Sequence, residues 1–165
     1  MIRTIRETDA PAVAALAAQL GYPMTAEEGR ERIRLILEDS EGAVFVAETD
    51  AGAVAGWVYV FGAHRLQTDP FAEIGGLIVD EAQRSKGIGT ALMETAQSWA
   101  RARGYAKVLV RSNVIRSLAH EFYRKLGFNQ FKTQAIFSRS IGPGSEASPG
   151  PFGKGTGTGE GRREQ

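Results

Sequence analysis

One stretch of the chain, residues 73–111, constrains the fold more than any other. The strand-like run EIGGLIV is followed by the glycine-containing loop QRSKGIGT, an amphipathic helical pattern and a second strand-like run, KVLVRS. A strand–helix–strand connection normally makes its two strands parallel neighbours with a right-handed crossover. The loop is therefore predicted at the carboxyl end of a strand, which is the edge where α/β sheets collect their ligands.

The sequence before this stretch predicts one strand, two helices and a hairpin. Residues 2–6 have a strand pattern, and residues 8–20 predict a helix that stops before a glycine. Thr25 and Glu28 have the spacing of a capping box, so a second helix is predicted from there. The runs VFVAET and VAGWVYVF flank the turn DAG and predict a β-hairpin over residues 44–61.

The sequence after it predicts a further helix and a final strand region. Apolar side chains at helical spacing predict an amphipathic helix over residues 118–126, and residues 131–139 predict one or two strands. Within the first strand of the central stretch, the pair Gly75 and Gly76 predicts a bulge or a close backbone approach. The predicted fold class is therefore α/β, with a mixed sheet and helices on both faces.

Composition excludes several classes of protein. The formal net charge is +1 and 24% of the residues are charged, so no basic surface for nucleic acid is predicted. The absence of cysteine excludes disulfides, thiolate zinc sites and a thiol nucleophile. His64 and His120 have no companion ligands in the sequence, so no metal site is predicted. No run has the length of a membrane span or the pattern of a secretory signal, which predicts a cytoplasmic protein.

The composition changes near the end of the chain. From Gly142 onward the sequence consists almost entirely of Gly, Pro, Ser, Thr and charged residues. Such a segment cannot bury enough apolar surface to offset the entropy lost on ordering. We therefore predict one folded domain over residues 1–141 and a disordered tail over residues 142–165.

The loop QRSKGIGT has the features of an anion-binding site. The first amides of a helix have no partner within the helix, and the helix dipole adds about half a positive charge at that end. Gly87 and Gly89 lack side chains that would keep an anion away from the backbone. Cations and hydroxyls are also present, at Arg84, Lys86, Ser85 and Thr90. The predicted ligand is a phosphate or pyrophosphate, and the alternative is a solvated loop that merely starts a helix.

Neither of the common nucleotide-binding loops fits these residues. In a Walker loop the lysine precedes Ser or Thr, whereas Lys86 precedes a glycine. The dinucleotide fingerprint G-x-G-x-x-G/A requires a small third residue, and Leu92 stands at that position. A nucleotide-binding domain is accordingly the weakest interpretation of the loop.

Two segments resemble the cofactor-binding motifs of the GNAT superfamily of acyl-CoA-dependent N-acyltransferases. The segment LIVDEAQRSKGIGTALM carries the pattern Gln/Arg-x-x-Gly-x-Gly/Ala at Gln83, Arg84, Gly87 and Gly89. The segment SNVIRSLAHEFYRKLGF is similar to the second cofactor segment, with its usual residues at Asn113, Ala119, Phe122, Tyr123, Gly127 and Phe128. With the order of the elements included, the resemblance extends over about residues 2–139.

The resemblance implies a fold and a cosubstrate. The GNAT fold has a central mixed, mostly antiparallel sheet in which one parallel strand pair, here residues 73–79 and 107–112, splays apart. Acetyl-CoA would be bound, with no metal, through its pyrophosphate by the amides of Arg84, Ser85, Lys86, Gly87, Ile88, Gly89 and Thr90. The pantetheine arm would lie along Leu77, Ile78 and Val79, where its amides can satisfy strand groups left unpaired by the splay. Asn113, and less strongly Ser117, would hydrogen-bond the arm.

Acetyl transfer to an amine requires a base, an oxyanion donor and an acid. Glu73 is the candidate base, directly or through water, because it begins the strand along which the arm would lie, and Glu48 and Asp69 are lesser candidates. A backbone N–H near Leu77 or Ile78 is expected to bind the oxyanion. The alternative role for Glu73 is an exposed carboxylate at a strand edge.

Tyr123 is the candidate acid, by the match to the superfamily's second segment. A phenol, with a pKa of about 10, can protonate a leaving thiolate whose pKa is about 8.5. The alternative role for this residue is a core tyrosine at the margin of an apolar helix face.

The predicted function is transfer of an acetyl group from acetyl-CoA to a primary amine by direct attack in a ternary complex, with a small molecule as the acceptor. The alternatives are a protein amino-group acetyltransferase and a non-catalytic acyl-CoA-binding or sensing module. A homodimer is a common assembly among GNAT proteins, and the chain's own residues do not identify the amine.

Overall fold

The computed structural model describes residues 1–139 and 141–142. The strands of this part of the chain are β1 (Ile2–Thr4), β2 (Gly42–Glu48), β3 (Val54–Arg65), β4 (Thr68–Val79) and β5 (Val108–Val110). Its α-helices are α1 (Ala10–Gln19), α2 (Ala26–Glu38), α3 (Ile88–Ala102) and α4 (Ser117–Lys125). All of these elements belong to one compact unit, Met1–Phe131, and a second unit begins at Lys132.

Local sequence signals account for the ends of the first two helices. Pro11 lies in the first turn of α1, where its missing N–H has no cost. Gly21, which follows α1, has a φ of 83°, a conformation that favours glycine. The Thr25 hydroxyl accepts from the Glu28 N–H at 3.1 Å, and the Glu28 carboxylate accepts from the Thr25 N–H at 2.7 Å. The predicted capping box is therefore confirmed.

The strands form a single sheet in the order β1-β2-β3-β4-β5. Neighbours from β1 to β4 are antiparallel, and β4 and β5 are parallel with α3 between them in sequence. The predicted mixed, mostly antiparallel sheet with one parallel pair is confirmed. Strand β4 begins earlier than residue 73, since its first residue, Thr68, pairs with Arg65 at the end of β3. No glycine marks the connection between these two residues, so this second hairpin has no clear turn signal.

Helices cover both faces of the sheet. On one face, α3 packs on the central strands, and the buried residues include Val58, Val60, Leu92, Met93 and Ala96. On the other face, α1 and α2 cover the sheet, and the buried residues there include Ala10, Val13, Ile33, Val44 and Val46. The predicted two-sided arrangement is therefore confirmed, with β3 and β4 buried between the layers.

A β-bulge at Gly75 interrupts the pairing of β3 with β4. Tyr59 lies opposite Gly76, and Val60 lies opposite Ile74, so Gly75 is the extra residue. A Cβ atom built on Gly75 would lie 2.5 Å from Cδ1 of Tyr59, because that ring covers the bulge. Of the two predicted alternatives the bulge is confirmed, and the close neighbour of Gly75 is a side-chain ring rather than backbone.

The bulge changes which side chains of β4 face each layer. Before it, Ile74 is part of the core beneath α3. After it, Leu77 and Val79 pack against that same core, while Ile78 packs against α1 on the opposite face. If residues 74 to 78 alternated regularly with no bulge, Ile78 would lie on the same side as Ile74. The bulge therefore sets the direction of the side chains in the part of β4 that leads to the loop.

Strands β4 and β5 are paired over a short stretch and then diverge. The paired residues are Ala72 with Val108, Glu73 with Leu109, and Ile74 with Val110. Strand β4 continues to Val79, whereas β5 ends at Val110. Within residues 1–139 and 141–142, no strand pairs with the outer edge of β4 beyond Ile74. The splay that the resemblance implied is therefore present.

The strands predicted over residues 131–139 are wrong. The described residues of this segment have no strand, and Phe131, Ile136 and Phe137 are exposed. In the run FKTQAIF, three polar residues separate Phe131 from a block of three consecutive apolar residues, so apolar and polar residues do not alternate as a half-buried strand requires.

The predicted tail, residues 142–165, lies outside the described residues except for Gly142. Within the described part of the chain, no helix is long and apolar enough to cross a membrane.

Candidate active site

The loop between β4 and α3 brings unpaired backbone amides to the end of the splayed strand. Helix α3 begins at Ile88, and the residue before it, Gly87, supplies no side-chain cap. The amides of the first turn, Ile88, Gly89 and Thr90, therefore have no partner within the helix. Together with the helix dipole, these amides make a site for an anion.

The two glycines of the loop serve different purposes. Gly87 has a φ of 79°, and a Cβ atom built on it would meet nothing within 4 Å, so its conformation rather than its surroundings requires glycine. At Gly89 a Cβ atom would lie 3.3 Å from Cζ of Phe122 and 3.6 Å from Cγ2 of Val79. Gly89 therefore lets α4 and the end of β4 pack closely against the start of α3. That both glycines let an anion approach the backbone stays a prediction, and Gly89 has this packing role in addition.

Strain and charge are concentrated in the same loop. Ser85 has a φ of 62°, a left-handed conformation that costs a non-glycine residue on the order of 1 kcal/mol. The Arg84 Nε donates to the Val79 carbonyl at 3.3 Å, and the Lys86 Nζ donates to the Gln83 side chain at 2.9 Å. Both cations are exposed and are tethered next to the open amides. The residues predicted to bind pyrophosphate therefore converge on one exposed loop.

The second cofactor segment lies beside this loop, through the contact of Phe122 with Gly89. Asn113 precedes α4, and its side-chain oxygen accepts from the Ile115 N–H at 3.2 Å. This bond fixes the side chain in a turn and leaves its amide N–H groups as donors. Ser117 is the first residue of α4 and is exposed. Asn113 and Ser117 thus lie where β5 ends and the splay opens.

Tyr123 lies on the face of α4 that packs against the core beneath α3. Its ring makes edge contacts with Phe122 and Phe128, with centroids 5.4 and 5.9 Å apart. Burial raises the pKa of Tyr123 above its ordinary value, and the Arg116 guanidinium partly opposes that effect. The phenol therefore keeps its proton at neutral pH, as a proton donor must.

Glu73 is not the exposed edge carboxylate that was its alternative interpretation. Its side chain is only 10% exposed and lies between two guanidinium groups. The Arg111 Nε donates to Oε1 at 2.6 Å, and the Arg65 Nη2 donates to Oε2 at 3.5 Å. Glu73 lies in the last paired stretch before the splay, so its carboxylate lies at the closed end of the open edge of β4. Neither of the lesser candidates has this position: Glu48 binds Arg3 at the far end of β2, and Asp69 is exposed.

The arginines around Glu73 are the site residues that the sequence did not reveal. Arg65 and Arg111 lie 8 and 38 positions from Glu73, and only the register of three strands brings them together. The parallel pairing of Glu73 with Leu109 could have suggested Arg111, which follows β5 directly. Arg116 was also missed: its charge opposes the rise in the pKa of Tyr123, and it donates to the Leu20 carbonyl at 3.4 Å.

An extended thioester cosubstrate with a diphosphate fits these features. The uncapped amides of α3 suit the diphosphate, and the open edge of β4 over residues 75–79 offers backbone groups to the amides of a pantetheine arm. In the described residues, no three side chains of metal-ligating type are grouped to hold an ion. Fold and site together define an acyl-CoA-dependent transferase.

Comparison with known proteins identifies the family. Residues 9–128 match the Acetyltransferase (GNAT) family, and the chain belongs to it. A relative from Stenotrophomonas maltophilia, an aminoglycoside N(6')-acetyltransferase type 1, is 30% identical over 145 residues, which cover 85% of this chain and 95% of the relative. This chain is accordingly an N-acetyltransferase that uses acetyl-CoA, as its two motifs predicted.

Solved structures have the same fold. The aminoglycoside antibiotic 6'-N-acetyltransferase AAC(6')-Ih from Acinetobacter baumannii aligns with a TM-score of 0.76 at 21% identity, over 86% of this chain and 99% of that one. The aminoglycoside N-acetyltransferase AAC(6')-Iy, solved in complex with CoA, aligns with a TM-score of 0.74 at 21% identity, over 85% and 93% of the two chains. At these identities the similarity establishes the fold.

Proposed function

We propose that the chain acetylates a primary amine on a small molecule, and that the amine attacks the acetyl-CoA thioester directly in a ternary complex. One observation carries the proposal. The open edge of β4, residues 75–79, connects the uncapped start of α3 with the buried carboxylate of Glu73. A thioester bound along this edge, with its diphosphate at the loop, presents its acetyl group toward the bulge and Glu73.

Glu73 is the proposed base for the incoming amine. An amine is mostly protonated at neutral pH and becomes a nucleophile only after it loses a proton. The carboxylate is held by Arg65 and Arg111, which favours transfer through a water molecule that the carboxylate orients rather than direct contact with the amine. The short bond to Arg111 supports this role, because it fixes the carboxylate in one position.

Backbone and side-chain donors complete the proposed reaction. The bulge at Gly75 breaks the ladder just before Leu77 and Ile78, and the N–H of one of these two residues is the proposed oxyanion donor. Collapse of the tetrahedral adduct breaks the carbon–sulfur bond, and the Tyr123 phenol gives its proton to the departing thiolate. The products are the N-acetylated amine and free CoA. The position of Tyr123 in the second cofactor segment, on the face of α4 that packs against the core, supports its assignment as the acid.

The relatives support a small-molecule acceptor. Two of them, from Stenotrophomonas maltophilia and Acinetobacter genomosp. 13, are aminoglycoside N(6')-acetyltransferases. Amino sugars are therefore the first acceptors to assay. Protein amino groups are the competing acceptors, and a fold that binds acyl-CoA without turnover is the competing class.

The test is release of CoA thiol from acetyl-CoA in the presence of a panel of amines, followed by mass spectrometry of the product. The panel contains amino sugars, linear polyamines, amino acids and a lysine peptide. Amine-dependent CoA release, with a mass gain of one acetyl group on a small amine, is the expected result. Tight CoA binding without turnover of any amine would contradict the proposal and favour a sensor, and exclusive modification of the peptide would move the acceptor to proteins.

A further inference from the structure

Two arginines flank the position where the acceptor amine must arrive. Arg65 ends β3 and Arg111 follows β5, and both reach the Glu73 carboxylate from opposite strands. The Arg65 and Arg111 side chains are 41% and 35% exposed, whereas that of Glu73 is 10% exposed. The carboxylate is therefore covered, and the cationic groups face outward from the closed end of the open β4 edge.

Of the two arginines, Arg65 makes the longer contact with Glu73. Its Nη2 is 3.5 Å from the carboxylate, whereas the Arg111 Nε is 2.6 Å from it. Arg65 is held in place by the ring of Phe71, with its guanidinium carbon 5.5 Å from the ring centroid. Only its Nη2 donates to Glu73, and within the described residues its Nη1 and Nε have no hydrogen-bond acceptor. A planar guanidinium with a free edge of this kind suits a carboxylate in a two-point contact.

We infer that the acceptor carries a carboxylate as well as the primary amine, and that Arg65 binds it. This inference rests on the proposed function, since it names the class of amine acetylated at that site. A carboxylate at Arg65 would orient the amine beside the carboxylate of Glu73 and toward the bulge. A polycationic amino sugar would instead bring several positive charges against Arg65 and Arg111, and like charges in a half-buried site disfavour binding.

The experiment compares matched acceptors that differ only in the anion. The series runs from 3-aminopropanoate to 6-aminohexanoate, each assayed beside its primary amide, with a polycationic aminoglycoside as a further arm. The readouts are kcat/KM from CoA release and, separately, calorimetric binding of each acid and amide to the protein saturated with CoA. For at least one chain length, we expect the acid to exceed its amide by about tenfold or more in both readouts.

Variants assign the preference to Arg65. In Arg65→Gln, the ratio of kcat/KM for the acid to that for its amide should fall to about one. Arg65→Lys should keep part of the preference for the acid, because lysine keeps the charge but cannot make the two-point contact of a guanidinium. Arg34→Gln is the matched control, since Arg34 is an exposed arginine on α2 that pairs with Glu31. This control should keep the wild-type ratio.

The outcomes separate this inference from the proposed function. Turnover of amides or of the aminoglycoside at least as fast as the acids, or an unchanged ratio in Arg65→Gln, would overturn the inference and leave acetyl transfer intact. Absence of turnover with every amine would contradict the proposed function. In that case the calorimetric binding measurements still test the inference. Tighter binding of the acid that Arg65→Gln abolishes supports it, and equal binding of acid and amide refutes it.

Discussion

Tyr123 lies in the second cofactor segment and is protonated at neutral pH, as a proton donor to a thiolate must be. It contacts two aromatic rings, and burial raises its pKa above the ordinary value. Removal of the hydroxyl in Tyr123→Phe keeps the ring contacts and removes the acid. We expect kcat to fall by roughly 10²–10⁴-fold, because that is the usual contribution of general acid catalysis. Steady-state kinetics measure the loss.

The pH profile provides the control for Tyr123. The acid must be protonated, and since its pKa is raised, kcat of the wild type should not decline until the pH exceeds the ordinary value of 10.0. Phe122→Leu, a change in the neighbouring ring, should alter stability more than the shape of this profile. A Tyr123→Phe variant with wild-type kcat would exclude the residue as the acid.

Two roles of Glu73 have to be distinguished, that of a base for the amine and that of an ion-pair partner for two arginines. Glu73→Gln keeps the volume of the side chain and removes its charge. If the carboxylate receives the amine proton through water, kcat/KM should fall by roughly 10²-fold. If it only holds Arg65 and Arg111, the variant should unfold at a lower temperature while kcat/KM stays near the wild-type value. Kinetics and thermal unfolding on the same preparation decide between the two.

At the scale of elements, the bulge in β4 links the packing of the sheet to the site. In Gly75→Ala the new Cβ would lie 2.5 Å from Cδ1 of Tyr59 and 3.1 Å from Cε1 of Phe61. We expect the free energy of unfolding to decrease by about 1–3 kcal/mol, because the rings must shift in a packed layer. We also expect kcat to fall, since the bulge positions the proposed oxyanion donor. Denaturant unfolding and steady-state kinetics measure the two effects.

The double variant Tyr59→Ala/Gly75→Ala is the control for that steric cause. Removal of the ring makes room for the Cβ, so the cost of Gly75→Ala should be smaller in the Tyr59→Ala background than in the wild type. Equal costs in both backgrounds would show that the Tyr59 ring is not the cause.

Elements were predictable where neighbouring residues specify them. The capping box of Thr25 and Glu28 involves residues three positions apart, and the bulge at Gly75 was marked by paired glycines. The surroundings of Glu73 were not predictable, because the register of β3, β4 and β5 brings Arg65 and Arg111 to it. The predicted strands over residues 131–139 failed because β propensity alone, without alternation, does not specify a half-buried strand.

At the scale of the whole molecule, an ion-pair network ties the start of the chain to the sheet. Arg3 binds both carboxylate oxygens of Asp9, at 2.8 and 2.9 Å, and its Nε binds Glu48 at 2.5 Å. Asp9 is only 7% exposed. The Arg3 hydrogen bonds lower the pKa of Asp9 from its ordinary value of 3.8, and this effect outweighs burial. The network therefore stabilises the fold while Asp9 is ionised.

Stability should follow the titration of Asp9. The lowered pKa means that its contribution is complete above pH 3.8 and is lost as the pH falls through the folded-state value. Arg3→Met leaves Asp9 buried without its partner, and we expect a loss of about 3–5 kcal/mol at neutral pH. Arg34→Met, at an exposed pair, should cost much less, because a surface ion pair contributes little to stability. Urea unfolding of both variants between pH 2 and 7 tests this, and equal costs would contradict a special role for Arg3.

The central claim is that the start of α3 binds the diphosphate of acetyl-CoA, and calorimetric titration with CoA tests it most directly. Gly87 and Gly104 provide a matched pair, since they flank the two ends of α3, have φ of 79° and 82°, and have no atom within 4 Å of a built Cβ. Both substitutions to Glu strain the backbone similarly, but only Gly87→Glu places a carboxylate where the diphosphate would bind. We predict that Gly104→Glu binds CoA like the wild type and that Gly87→Glu binds it at least about tenfold more weakly. CoA affinity unchanged in Gly87→Glu, or no binding by the folded wild type, would contradict the claim.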